Sequence, residues 1–104
     1  MAHAGLPLED VLKQRFEIGR SMSDLTRQKM SRQQAGFGAE IDMLRQEREI
    51  VELGDTPARH AMLADATERF DEAQRAIAEC DEELAVLEGR LEELDRQIAD
   101  RTET

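Results

Sequence analysis

Alternate steps of three and four residues from Leu63 land on Ala66, Phe70, Ala73, Ile77, Cys80, Leu84, Leu87, Leu91, Leu94 and Ile98 without meeting a charge. This is an unbroken heptad stripe. A helix can bury such a stripe only against another helix. The pattern predicts a long amphipathic helix over residues 57–101.

The front half is less regular. Leu8, Val11, Ile18, Met22 and Leu25 fit one register, interrupted by Arg15. Met30, Phe37, Ile41, Leu44 and Val51 fit another, interrupted by Gln34 and Arg48. The two sets are out of phase by about one residue on a heptad template. If both face the second helix, the phase change must be absorbed between them. Gly36-Phe37-Gly38 marks the place, because two glycines cost roughly 2 kcal/mol of helix propensity relative to alanine. A kink, a short break or a local overwinding is therefore expected over 34–38.

Punctuation sets the length of the arms. Pro7 followed by Glu9 and Asp10 reads as a helix start, with acids where the helix dipole favours them. Gly54-Asp55-Thr56-Pro57 reads as a stop and a restart. Gly54 can close one helix, Asp55 or Thr56 can cap the next, and Pro57 can begin it. Arm one is expected over 7–53, the turn over 54–57 and arm two over 57–101. Each arm would reach about 65 Å at the helical rise per residue. The expected fold is all-α, one domain over 1–104: an antiparallel two-helix coiled-coil hairpin that associates into a four-helix bundle.

Composition supports an elongated form. The chain is 37% charged, has no Trp or Tyr, and has only Phe16, Phe37 and Phe70 as aromatics. Aromatics supply much of the burial in compact cores, so a rounded core is not expected. The net charge is −10, from 24 acids against 14 bases. That opposes direct binding to nucleic acid or an anionic membrane. No apolar run approaches the length of a membrane span. Cys80 is the single cysteine, which leaves no internal disulfide. These features lead us to expect a cytoplasmic protein without membrane insertion.

Charge is also uneven along the chain. Residues 13–32 carry Lys13, Arg15, Arg20, Arg27, Lys29 and Arg32 against Glu17 and Asp24. Residues 79–103 are strongly acidic. Folding back at Gly54–Pro57 lays one stretch along the other, and flanking charges of opposite sign set coiled-coil orientation. Asp65/Arg69, Asp71/Arg75 and Glu92/Arg96 have the favourable acid-first spacing within one helix.

Candidate chemistry is sparse. The only histidines are His3 and His60, and neither follows a glutamate by three residues, as a helical carboxylate metal site would need. His60 is expected to be solvated near the turn. Cys80 sits on the stripe among Glu79, Asp81, Glu82 and Glu83, with no base or cation to activate it. It reads as a small core residue. No catalytic, cofactor or metal residue is assigned, and an enzyme is not expected.

One excess calls for a partner. Leu12, Phe16, Met43 and Ile50 lie beside the seams, and Ala64, Ala78, Ala85 and Val86 form a milder second stripe on arm two. Phe37 between two glycines is a further candidate anchor, although it also fits a seam. A thin hairpin has no use for this surplus, whereas a dimer or a docking surface does. Leu12, Phe16, Phe37, Met43 and Ile50 are the candidate partner-binding residues.

Glu52-Leu53-Gly54-Asp55 and Leu87-Glu88-Gly89-Arg90-Leu91-Glu92-Glu93-Leu94 resemble segments of the coiled-coil arm of Gre-type transcription factors. The resemblance covers a small part of the chain, and the spacing between the two segments is longer here. Thr56-Pro57-Ala58 stands where that family has serine-glutamate-asparagine. The resemblance implies an arm that enters an RNA polymerase channel, with Asp55 and Glu52 at its acidic tip. Two expectations of function follow. The first is a non-enzymatic coiled-coil adaptor, scaffold or chaperone that packs on itself, as a dimer, or on a protein partner of unknown identity. The second is an acidic regulator that inserts its tip, or presents a nucleic-acid-like face, to a basic channel of a polymerase or nuclease.

Overall fold

Helix starts and stops follow the punctuation closely. The computed structural model describes residues 6–102. His3 and the chain ends at 1–5 and 103–104 lie outside them. The carbonyl of Pro7 accepts hydrogen bonds from the amides of Asp10 (3.0 Å) and Val11 (3.1 Å), and helix α1 runs from there as Leu8–Leu53. Pro7 thus stands one residue before the helix rather than at its first position. The amide of Gly54 donates to the Ile50 carbonyl (3.0 Å), and Gly54 turns away with φ 98°, a conformation that side chains disfavour. Helix α2, Pro57–Thr102, begins under a Thr56 cap whose hydroxyl accepts the Arg59 amide (3.2 Å).

The Arg59 guanidinium returns across the turn to the carbonyls of Leu53 (3.1 Å) and Gly54 (2.7 Å). These are helix-end acceptors that would otherwise lack a partner. The chain reverses in three residues, so the helices must pack antiparallel. The result is a hairpin 78 Å long and 16 Å in each other dimension. Among the described residues there is no strand.

On α2 every position of the heptad stripe from Leu63 to Ile98 is buried or half-buried. On α1 the outcome differs from the sequence pattern. α1 is one unbroken 46-residue helix, with no interruption at 34–38. The register of Val11, Ile18, Met22 and Leu25 continues without a phase change. It brings Lys29, Gly36, Ala39, Met43, Gln46 and Ile50 to the seam. Met30, Phe37, Ile41, Leu44 and Val51 are all exposed. The reason is geometric. A slip of one residue rotates a helix by about 100°. Bringing both sets inward would require breaking backbone hydrogen bonds in mid-helix.

The seam is therefore graded. At the open end Val11, Ile18 and Leu94 form a buried cluster, with Met22, Leu87, Leu91 and Ile98 packed against it. Toward the turn the buried residues are small: Gly36, Ala39, Ala66 and Ala73. A Cβ placed on Gly36 would meet the Ala73 Cβ at 3.5 Å, ordinary contact distance. Gln46 is also buried there, and its Oε1 has no hydrogen-bond partner.

Cross-arm ion pairs fix the same alignment. Arg15 Nε meets Asp95 Oδ1 at 2.7 Å, Lys29 Nζ meets Asp81 Oδ1 at 2.6 Å, and Arg69 Nη2 meets Asp42 Oδ2 at 3.1 Å. The step from Arg15 to Lys29 matches the step from Asp95 to Asp81. Within α2, Asp65 pairs with Arg69 as its spacing predicts (3.0 Å), while Arg96 takes Glu93 (3.2 Å) instead of Glu92.

Four substitutions test the helix and its seam. Gly38 has open space around its Cβ position, so Gly38→Ala should raise the urea midpoint, by about 1 kcal/mol of helix propensity. Gly36→Ala should be stabilising for the same reason, while Gly36→Leu should destabilise by about 1–3 kcal/mol by overpacking against Ala73. Gln46→Leu should stabilise by about 1–2 kcal/mol, because it removes a buried acceptor without a partner.

Candidate functional site

The most conspicuous surface follows from the register of α1. Every seventh residue from Phe16 gives Ser23, Met30, Phe37, Leu44 and Val51. A step of seven is close to two full turns, so these residues lie in one line along the helix. All but Ser23 are large and apolar, and their exposures run from 56% at Met30 to 84% at Val51. Leu12 (48% exposed) precedes the line at the open end, and Ile41 (56%) lies between Phe37 and Leu44. Single exposed apolar side chains are ordinary on protein surfaces, but five in one line, broken only at Ser23, are not.

The row sits one residue after the seam positions Arg15, Lys29, Gly36, Met43 and Ile50. On α2 the corresponding residues after Leu63, Ile77, Leu84 and Ile98 are Ala64, Ala78, Ala85 and Ala99, all exposed. Antiparallel packing places these equivalent positions on the same side of the seam. The groove between them is lined by Gln33, Gly36, Phe37 and Glu40 of α1 and by Gln74 and Ile77 of α2. One face of the hairpin thus carries a row of large apolar side chains on α1 and a row of alanines on α2, interrupted by Asp71 and Glu92. The opposite face is more polar. Its grooves hold Met62 among Asp42, Arg45, Asp65 and Arg69, and Val86 beside Asp24, Glu82 and Glu83. There the Asp42 carboxylate, and after it Asp65, hold the Arg69 guanidinium protonated above its ordinary range.

Of the candidate partner-binding residues, Leu12, Phe16 and Phe37 lie exposed on or beside the row. Met43 and Ile50 do not. They are half-buried in the seam between the arms, because the continuous register of α1 turns them inward. Met30, Ile41, Leu44 and Val51 take their place on the surface, against the expectation that they form core. The signal was present in the seven-residue spacing from Phe16 to Val51.

At the turn, Glu52 and Asp55 are exposed, and Asp55 Oδ1 lies 3.1 Å from His60 Nδ1. His60 is exposed beside it, as expected. Cys80 is 8% exposed and packs as a seam residue. Among the described residues no group of three or more His, Cys, Asp or Glu side chains is placed to hold a metal ion. No described helix is long and apolar enough to cross a membrane. No protein-family model matches the chain, and neither a curated protein nor a solved structure matches it.

The packing of Cys80 has a chemical readout. A thiol reagent should label Cys80 slowly in the folded protein and rapidly in urea. Equal rates in the two conditions would place the residue outside the seam.

Proposed function

We propose that this chain is a non-enzymatic interaction module, an adaptor, scaffold or chaperone that acts by offering one helix face to another protein. The observation that carries this reading is the exposed row Phe16, Met30, Phe37, Leu44 and Val51. These side chains would be more stable covered. Burying a large apolar side chain fully is worth about 1.5–3 kcal/mol relative to leaving it exposed. The hairpin itself does not cover them, because they lie to one side of the seam that α2 occupies.

The form of the partner follows from the form of the surface. A straight apolar row about 50 Å long, at the helical rise from residue 16 to 51, fits the apolar side of another long helix. The polar opposite face and the overall acidity keep the rest of the hairpin in water. The reading places the module in the cytoplasm, where a lone cysteine is ordinary.

A photo-crosslinking side chain at residue 37 or 44, introduced in the native host, tests this. Protein adducts should form at those two positions and be far fewer at residue 86 on the opposite face. Absence of adducts all along the row would remove the basis for the reading.

A further inference from the structure

We propose that the occupant of this face is a second copy of the same chain, seated face to face with both turns at the same end. The inference rests on the interaction-module reading and names its partner.

Three observations select it. The first is shape. The face carries large apolar side chains on one arm and alanines, broken by Asp71 and Glu92, on the other, with Gln33, Glu40 and Gln74 in the groove between them. Rotation by half a turn about the long axis stacks α1 of each copy on α2 of the other. In that arrangement heights along the hairpin are preserved. Met30, whose neighbour Lys29 pairs with Asp81, comes over Ala78 of the second copy and Leu44 over Ala64, while Phe37 and Phe16 come over Asp71 and Glu92. Large side chains packing into the space left by small ones is what dense helix packing requires.

The second is charge. Helix α2 carries 13 acids and 6 bases, a net of −7, whereas α1 carries 9 acids and 8 bases, a net of −1. A dimer that stacks like arms would lay two α2 helices together. Stacking unlike arms avoids this, and it sets the basic stretch 13–32 of each α1 against the acidic stretch 79–100 of the opposing α2. In the isolated hairpin none of its ion pairs among the described residues uses Arg20, Glu88 or Glu92.

The third is area. The chain exposes 7891 Å², while a compact monomer of its 11.8 kDa mass would expose about 5900 Å². A standard interface covers about 800 Å² on each partner. The excess is ample for one such interface on each copy. Asp71 and Glu92 interrupt the alanine row and divide the contact into segments.

Light scattering across a wide concentration range should give twice the 11.8 kDa chain mass. Leu44→Lys and Ala78→Arg should each weaken self-association by about 100-fold or more, as for central interface residues. Met62→Lys and Val86→Lys on the other face should leave it unchanged. Circular dichroism follows helix content. Should Leu44→Lys lose helix, Ala78→Arg decides, because it replaces an exposed alanine with a good helix former. Spin labels at an Asp55→Cys site in a Cys80→Ala background should lie within about 30 Å of each other between copies, given ordinary helix spacing.

A monomer at every concentration would overturn self-pairing. So would a dimer indifferent to both Leu44→Lys and Ala78→Arg. Labels separated by nearly the full 78 Å length would overturn the same-end arrangement. A monomer whose residue-44 crosslinker still captures a different protein would end this inference and leave the interaction reading standing. A monomer that captures nothing would end both.

Discussion

An α-helix that is not interrupted has a single phase, and the surface of this protein follows from that constraint. Val11, Ile18, Met22 and Leu25 set which side of α1 meets α2, and the helix carries that choice onward to its end. The later apolar residues Met30, Phe37, Leu44 and Val51 were left with no say in the matter. They are displaced to the outer flank, and Lys29, Gly36, Ala39 and Gln46 take the inner positions. Continuity of backbone hydrogen bonding outweighs the burial of several side chains. Breaking a long helix disrupts a cooperative ladder, and a short isolated helix is marginal in water.

The seam reflects the same bargain. Near the open end, medium-sized apolar residues interlock in the Val11, Ile18 and Leu94 cluster. Near the turn the arms meet through Gly36 and Ala73, with Ala39 and Ala66 also buried. Small residues supply little hydrophobic burial. Half-buried Met43, Ile50, Leu63 and Phe70 supply the larger apolar side chains of that half, and a hairpin only 16 Å across has no interior layer beyond them. That half is also where the exposed row is densest.

Charges play a smaller but directional part. Arg15–Asp95, Lys29–Asp81 and Arg69–Asp42 all bridge the arms at partly exposed positions. Exposed pairs of this kind are worth about 0–1 kcal/mol each, so they select an alignment more than they hold it. Lys29 shows how a charge can occupy a seam position. Its side chain is 30% exposed, and its ammonium meets Asp81, as a long charged side chain can do while keeping its head in water. A charged residue at a heptad core position thus need not signal a change of register, and here it does not.

The hairpin was legible from residue order alone. Gly54-Asp55-Thr56-Pro57 contains its own stop, cap and start, and the stripe from Leu63 to Ile98 has one solution on a helix. The basic and acidic stretches announced which parts would lie side by side. The inner and outer faces of α1 were not legible, because Met30, Phe37 and Leu44 make as good a local stripe as Val11, Ile18 and Met22. Local pattern assigns each segment a preferred face without reference to the other segment. Only packing of the whole hairpin, in which a single rigid rod must present one side to its neighbour, decided between them. It turned Met43 and Ile50 inward and Phe37 and Leu44 out.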